Sequence, residues 1–211
     1  MSICAQGSPK VTIKMDLSPS TYYFSNATPP TLSFRMTSHA SRPLTIRIPH
    51  GSPLNVKMAM NQGGYPILDL STLPPTPVKI SDVTGYIHLP PTPNKLLVLF
   101  PECQSPNFEV AFNRGASYGA AFRPQPWDVV RRGRVLDHDG NKTSMRRPSV
   151  VAGVDGLEAG KKYRTTMALS KLRTVPWWWG TEDDEPESQG MRNVPIEFEV
   201  EDGGVEFRVE E

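Results

Sequence analysis

The chain has 211 residues, of which 37% are hydrophobic and 21% are charged, so it is large enough to bury a core and too apolar to be disordered throughout. Its 22 prolines and 16 glycines exclude a mainly helical protein and are typical of strands joined by loops. The formal net charge of +1 excludes a chain that is strongly basic or acidic as a whole.

The charge is unevenly divided along the chain. Residues 182–211 contain twelve acidic and two basic side chains, a net charge of −10, so residues 1–181 carry +11. This division predicts a basic surface for an anionic partner, or an acidic segment that covers the basic part of the same chain. A plain division into solvated strand faces and one acidic loop remains an alternative.

The start of the chain lacks the basic and then apolar pattern of a signal peptide, and no apolar run has the length of a membrane span. We therefore expect an intracellular protein of the cytoplasm or nucleus, with no membrane partner. Cys4 and Cys103 have neither metal-site spacing nor a catalytic signature around them, so both are predicted to be free thiols.

Alternation of apolar and polar residues predicts half-buried strands at 11–17, 32–36 and 44–48, the candidates for the first three strands of a sandwich. The string Leu-Pro-Pro-Thr-Pro occurs at 73–77 and again at 89–93. Prolines at this density predict loops at the rim of a sheet, with docking peptides for aromatic-grooved modules as the alternative. The apolar run 96–100 predicts a buried strand.

Residues 113–156 lose the alternation and are rich in glycine and arginine. We interpret them as a long basic insertion, and long insertions in compact domains are often functional. The insertion includes Arg131, Arg132 and Arg134, and it also includes Ser149. The sequence Arg146-Arg147-Pro148-Ser149-Val150 matches the pattern of basophilic kinase substrates, which makes Ser149 a candidate phosphorylation site.

The segment 157–167 has the spacing of the tyrosine corner, which precedes the F strand of immunoglobulin-type sandwiches. In that arrangement Leu157 enters the core, Gly160 forms the tight loop, and the Tyr163 hydroxyl returns to a nearby backbone group. After the F strand come three consecutive tryptophans, Trp177, Trp178 and Trp179.

On a strand, Trp177 and Trp179 would face one side and Trp178 the other. The tryptophans therefore either cover one end of the core and the proline-rich rim or form an exposed aromatic platform. The final alternation, from Val194 to Val209 with a turn at 202–204, predicts an amphipathic β-hairpin.

Together these patterns predict an all-β protein with an immunoglobulin or fibronectin-III-like antiparallel β-sandwich. The predicted domain spans residues 1–181, with the basic insertion 113–156 placed before strand F. Residues 182–211 are predicted to form an acidic loop and the β-hairpin, packed on or beside the sandwich.

Three stretches carry a family resemblance: Thr31-Leu32-Ser33-Phe34-Arg35-Met36-Thr37-Ser38 with Pro43-Leu44-Thr45-Ile46, residues 157–163, and Trp178-Trp179-Gly180-Thr181 followed by acids. Over residues 10–185 the chain resembles a group of uncharacterised intracellular proteins of filamentous fungi. The resemblance implies a single immunoglobulin-like sandwich and brings no catalytic or binding residues. The third tryptophan and the hairpin from Val194 depart from that pattern.

No motif predicts a catalytic residue, a metal ligand or a cofactor. His39, His50, His88 and His138 are scattered without metal-site spacing, and the calcium-loop-like run 137–141 lacks the glycine position and glutamate of an EF-hand. Nucleophile elbows and phosphate-binding glycine loops are absent from the sequence. A catalytic triad stays open, because triads are defined in space rather than by order along the chain.

The function favoured by the sequence is a non-catalytic interaction module that binds a protein partner through a basic and aromatic surface. The candidate binding residues are Trp177, Trp178 and Trp179 with Arg131, Arg132 and Arg134. One alternative is a small enzyme whose pocket lies under 113–156 and uses Asp137, His138 or Arg131. Another is the binding of an anionic ligand or nucleic acid, for which the +11 body is permissive but no nucleic-acid fold signature is present.

Overall fold

The computed structural model describes residues 8–25, 28–49, 51–59, 63–78, 95–112, 156–184 and 195–211. Strands dominate these ranges, as the composition predicts. The α-helix found there is the single turn α1 (Val56–Ala59), and three short 3-10 turns span Leu169–Leu172, Glu182–Asp184 and Glu201–Gly203.

The strands are, in chain order, β1 (Lys10–Ser18), β2 (Thr21–Tyr23), β3 (Thr31–Ser38), β4 (Leu44–Ile48), β5 (Ile67–Asp69), β6 (Thr76–Pro77), β7 (Lys95–Leu99), β8 (Phe108–Ala111), β9 (Lys162–Thr165), β10 (Trp177–Trp179), β11 (Glu197–Val200) and β12 (Val205–Glu210). They form three sheets, with the strand orders β11-β1-β3-β8, β10-β4-β7 and β2-β12-β9-β5-β6.

The long antiparallel pair β1 and β3 organises the four-stranded sheet. Its register places Val11 opposite Ser38 and Leu17 opposite Leu32. Both strands alternate between buried apolar and more exposed polar residues, which confirms the predicted half-buried strands. One face of the pair therefore lies against the core, and the other carries polar side chains.

The strand β4 is more buried than the alternation predicts. Thr45 is fully buried between Leu44 and Ile46, and its hydroxyl donates to the carbonyl oxygen of Gly180 at 2.7 Å. Strands β7 and β10 flank β4 in the three-stranded sheet. The run 96–100, predicted to be buried throughout, is buried only in alternate positions. Leu97 and Leu99 lie in the core, whereas Phe100 is half exposed.

Buried apolar side chains from the three sheets form one hydrophobic cluster. Ile13 of β1, Ile46 of β4 and Phe207 of β12 all belong to it. The same cluster contains Ile196 and Val209, so the carboxy-terminal residues contribute to the core.

The prediction of a carboxy-terminal β-hairpin is wrong. Strand β11 runs parallel to β1, whereas β12 pairs with β9 and β2 in the five-stranded sheet. The turn between them, with Asp202 at φ 53° and Gly204 at φ 119°, sends the chain from one sheet to the other. Both strands place apolar residues against the common cluster, each from its own sheet. The two strands of a hairpin would instead lie side by side in a single sheet. The parallel pairs also depart from the predicted wholly antiparallel arrangement.

The loop before β9 has the hydrogen bond that the sequence predicts. The Glu158 N–H donates to the hydroxyl oxygen of Tyr163 at 2.8 Å, while Leu157 and the Tyr163 ring are buried. Gly160 has φ 81°, the left-handed conformation that favours glycine. Burial raises the pKa of the Tyr163 hydroxyl, which stays protonated in this loop.

Candidate functional site

Most of the predicted basic surface lies outside the described residues. Arg131, Arg132, Arg134 and Ser149 all fall there, as do Asp137 and His138 of the alternative pocket. The basic insertion as a binding surface, the pocket beneath it and the phosphorylation site therefore remain predictions. Cys103 is an exposed free thiol, as expected, whereas Cys4 falls outside the described ranges.

The three tryptophans form β10 and obey the alternation of a strand. Trp177 belongs to the core cluster, and its ring meets that of Trp179 edge to face with centroids 5.1 Å apart. Trp178, which is outside that cluster, is only 3% exposed. An exposed platform could therefore be built on Trp179 alone, and a binding role for this segment stays a prediction.

Polar contacts hold the tryptophan strand in place. The Trp178 Nε1 donates to the carbonyl oxygen of Thr181 at 2.9 Å. The Arg42 guanidinium carbon lies 4.6 Å from the Trp179 ring centroid, and that of Arg47 lies 5.9 Å from the Trp178 ring. Cation–π contacts at partly exposed sites contribute on the order of 0.5–1 kcal/mol each, so they stabilise this edge of the sheet.

The polar face of the four-stranded sheet carries a more open candidate site. A groove of about 350 Å³ lies across β1, β3 and the segment that precedes β8. We call it the outer-face groove; its lining residues are Lys14, Met15, Asp16, Ser33, Phe34, Arg35, Gln104 and Asn107. The charged residues of this set come from the exposed positions of the predicted alternation.

Two cations in the lining of the groove lie beside each other on neighbouring strands. Lys14 and Arg35 are directly opposite in the β1–β3 register. Like charges in opposite cross-strand positions repel, typically by a few tenths of a kcal/mol to about 1 kcal/mol. The Arg35 Nη1 donates to the Gln104 Oε1 at 3.3 Å, but among the described residues no ion pair joins either cation to a carboxylate.

Other cations of the molecule are paired with carboxylates. Lys10 forms an ion pair with Glu199 at 2.7 Å, and a hydrogen bond in that pair raises the pKa of Lys10 and lowers that of Glu199. Lys162 and Arg164 on β9 both pair with Glu206. The opposed cations of the outer-face groove thus differ from these exposed cations in having no carboxylate partner within the described ranges.

The segment 101–105 is clamped to the end of β3. The Ser105 N–H donates to the Met36 carbonyl oxygen at 2.8 Å, and the Met36 N–H donates to the Ser105 hydroxyl at 2.9 Å. The Glu102 N–H donates to the Ser38 carbonyl oxygen, and Glu102 itself has φ 52°. This clamp places the Gln104 side chain in the groove and the Glu102 carboxylate beside the residue that follows β3.

A carboxylate, an imidazole and a hydroxyl form a chain beside this groove. The Oε1 of Glu102 lies 3.3 Å from His39 Nδ1, and His39 Nε2 lies 2.8 Å from the Thr12 hydroxyl oxygen. Thr12 precedes Lys14 on the same face of β1, so the chain lies next to the groove. Sequence reasoning missed this group because its members are on three separate segments with no motif around any of them.

Comparison with protein-family models, curated proteins and solved structures found no significant match. In the part of the chain that the structure describes, no helix is long and apolar enough to cross a bilayer. The same part contains no group of three or more histidine, cysteine, aspartate or glutamate side chains placed to hold a metal ion.

Proposed function

We propose that the chain is a β-sandwich interaction module of the immunoglobulin-like type, and that its outer-face groove binds an acidic segment of a partner protein. The topology supports this fold type: β2 leaves the sheet of β1 to run parallel to β12, and β9 lies between β12 and β5. The hydroxyl contact of Tyr163 before β9 also supports it. The resemblance to the fungal proteins agrees with this assignment and remains a prediction.

The observation that carries the binding proposal is the opposed pair Lys14 and Arg35. A carboxylate that binds between them relieves their mutual repulsion. An anionic group therefore binds more favourably there than at a cation that already has a carboxylate partner. The Arg35 guanidinium keeps N–H donors beyond its bond to Gln104, and arginine suits paired hydrogen bonds to a carboxylate.

The other groove residues favour a peptide over nucleic acid. Asp16 and the Gln104 and Asn107 amides line the same groove and can accept hydrogen bonds from peptide N–H groups. The Asn107 amide donates to Glu109 at 2.8 Å, which places a second carboxylate near the groove. These carboxylates repel any anion, but an acidic peptide also offers them backbone N–H donors, which a sugar-phosphate backbone lacks. The proposed ligand is therefore an acidic peptide, and the test below includes a nucleic acid as its competitor.

The test is a titration of the full chain, followed by amide NMR. The probe is a blocked octapeptide of alternating glutamate and serine, and the competitor is a single-stranded oligothymidylate of the same net charge. The peptide should shift the amides of β1, β3 and the segment 101–107. The double variant Lys14→Ala/Arg35→Ala should bind it at least about tenfold more weakly, which corresponds to about 1.4 kcal/mol.

The matched control is Lys162→Ala/Arg164→Ala, which removes the same charge from β9, where both cations are paired with Glu206. This variant should bind the peptide like the parent chain. Equal weakening by both double variants would reduce the binding to a net-charge effect and contradict the proposed site. Stronger binding of the oligothymidylate than of the peptide would favour nucleic acid instead.

A further inference from the structure

The chain Glu102, His39 and Thr12 has the order of groups that activates a hydroxyl nucleophile. With the Nδ1–H of His39 directed to Glu102, its Nε2 holds a lone pair and accepts a hydrogen bond from the Thr12 hydroxyl. The backbone supports this placement, because the His39 N–H donates to the Lys10 carbonyl oxygen at 2.9 Å and extends the β1–β3 ladder.

We propose that Thr12 is an acyl-accepting hydroxyl, with His39 as its general base and Glu102 as the residue that positions the imidazole. A hydroxyl is a weak nucleophile at neutral pH unless a base removes its proton during attack. Here the base is at hydrogen-bond distance from the hydroxyl and its other ring nitrogen faces a carboxylate, which are two of the geometric features of such a site.

The outer-face groove indicates the class of substrate. Thr12 and Lys14 are alternate residues on one face of β1, so their Cα atoms lie about 7 Å apart along the strand. Lys14 and Arg35 attract a carboxylate, and a ligand held there would present a carbonyl carbon a few bonds away towards Thr12, two residues along the same face of β1. This spacing suits esters of short dicarboxylic acids, in which one carboxyl group is free and the other is esterified.

The reaction needs no partner other than the ester and water. The Thr12 oxygen donates an electron pair to the ester carbonyl carbon while His39 Nε2 takes the hydroxyl proton. The tetrahedral adduct then breaks its bond to the alcohol oxygen, and His39 returns the proton to that oxygen. The products are an acylated Thr12 and the free alcohol, and water releases the acid from Thr12 by the same proton transfers.

Charged groups also lie near His39. Glu102 lies at Nδ1, and Glu199 on β11 is close enough for its charge to interact with His39, while Lys10 forms an ion pair with Glu199. The neutral imidazole is the form that accepts the Thr12 proton at Nε2.

The experiment uses the full chain with two probes, p-nitrophenyl acetate and mono-p-nitrophenyl glutarate, and locates the acyl group by peptide mass spectrometry. Thr37 provides an internal control, because it lies directly opposite Thr12 in the register and no described hydrogen bond joins it to a histidine ring. Thr12 should be acylated about a hundredfold faster than Thr37, the scale of general base catalysis. Glutarate should label it faster than acetate.

Four variants test the roles. The near-isosteric Thr12→Val should abolish the labelled peptide, and His39→Gln should reduce labelling of Thr12 to the level of Thr37. Glu102→Gln should slow labelling of Thr12, whereas Glu102→Asp, which keeps the carboxylate, should restore part of the rate. Thr37→Val should leave the labelling of Thr12 unchanged. Equal labelling of both threonines, or acyl groups found only on lysines or on His39, would overturn the proposal.

The outcome is separable from that of peptide binding. The variant Lys14→Ala/Arg35→Ala should lose the preference for glutarate over acetate, because the two cations act on the free carboxylate of the glutarate ester. A chain that binds the acidic peptide without acylating Thr12 would refute only the nucleophile, and the reverse result would refute only the peptide site.

Discussion

At the residue scale, single side-chain hydroxyl groups fix several loops of this molecule by hydrogen bonds to the backbone. The Tyr163 hydroxyl accepts from the Glu158 N–H, the Ser105 hydroxyl accepts from the Met36 N–H, and the Thr45 hydroxyl donates to the Gly180 carbonyl. In each case the partner is a backbone group, in a buried contact for Met36 and a partly buried one for Glu158 and Gly180. Leaving such a group unpaired costs about 1–3 kcal/mol, so these short contacts have a large effect on stability.

Tyr163→Phe should therefore lower the free energy of unfolding by about 1–2 kcal/mol, because it leaves the Glu158 N–H without its acceptor and changes the packing little. Urea unfolding followed by tryptophan fluorescence measures the change. Tyr23→Phe is the matched control, since Tyr23 is 44% exposed, and it should cost less than about 0.5 kcal/mol. A Tyr163→Phe chain as stable as the parent would show that water replaces the hydroxyl.

At the element scale, the tryptophan strand β10 shows how alternation divides identical residues among different environments. Trp177 lies in the core, Trp178 is buried outside that cluster, and Trp179 is partly exposed beneath Arg42. The sequence predicts the alternation but not the burial of Trp178. That burial depends on tertiary contacts: β4 pairs with β10 and brings Arg47 over the Trp178 ring. The Thr181 carbonyl oxygen accepts the hydrogen bond of the indole Nε1–H.

The cost of removing each indole should follow its burial. Trp177→Ala should lower the free energy of unfolding by about 3–5 kcal/mol, the usual loss for a large aromatic side chain in a core. Trp179→Ala should cost about 1–2 kcal/mol, because it removes a partly exposed ring and its contact with Arg42. If Trp177→Ala does not fold, Trp177→Phe and Trp179→Phe allow the same comparison. An equal loss at both positions would argue against the observed orientation of β10.

At the scale of the whole molecule, the connection between β11 and β12 ties two sheets together. Residues 201–204 carry the chain from β11, beside β1, to β12, between β9 and β2. Gly204 makes this passage at φ 119°, with its backbone packed against Thr165 of β9. Removing residues 195–211 would therefore remove strands from two sheets as well as an acidic tail.

Gly204→Ala should be strongly destabilising, by at least about 3 kcal/mol, because a Cβ atom there would lie 2.2 Å from the Thr165 carbonyl oxygen. Gly203→Ala is the matched control: its φ is 69°, but a Cβ atom would meet no other atom within 4 Å. It should cost only about 1–2 kcal/mol for the left-handed conformation. Thermal unfolding of both variants gives the comparison, and similar losses would mean that backbone conformation rather than crowding decides the effect.

Local pattern was sufficient to predict several parts of this protein. The alternation in β1 and β3 predicts which face is buried, because successive strand residues point to opposite sides whatever the partner. The spacing from Leu157 to Tyr163 predicts the hydroxyl contact, since all its groups lie within a few residues. The mainly β composition follows from the many prolines and glycines.

The candidate site required the tertiary structure. Lys14 and Arg35 are ordinary exposed residues until the register places them opposite each other, and His39 meets Thr12 and Glu102 only through that register and the clamp on segment 101–105. The same limit explains the mistaken hairpin, because β11 and β12 have a hairpin pattern but pair with strands far away in sequence. Sequence by itself determined which residues are apolar and with what period. The partners of each strand were decided only in the folded chain, where burying one common core outweighs the nearest available pairing.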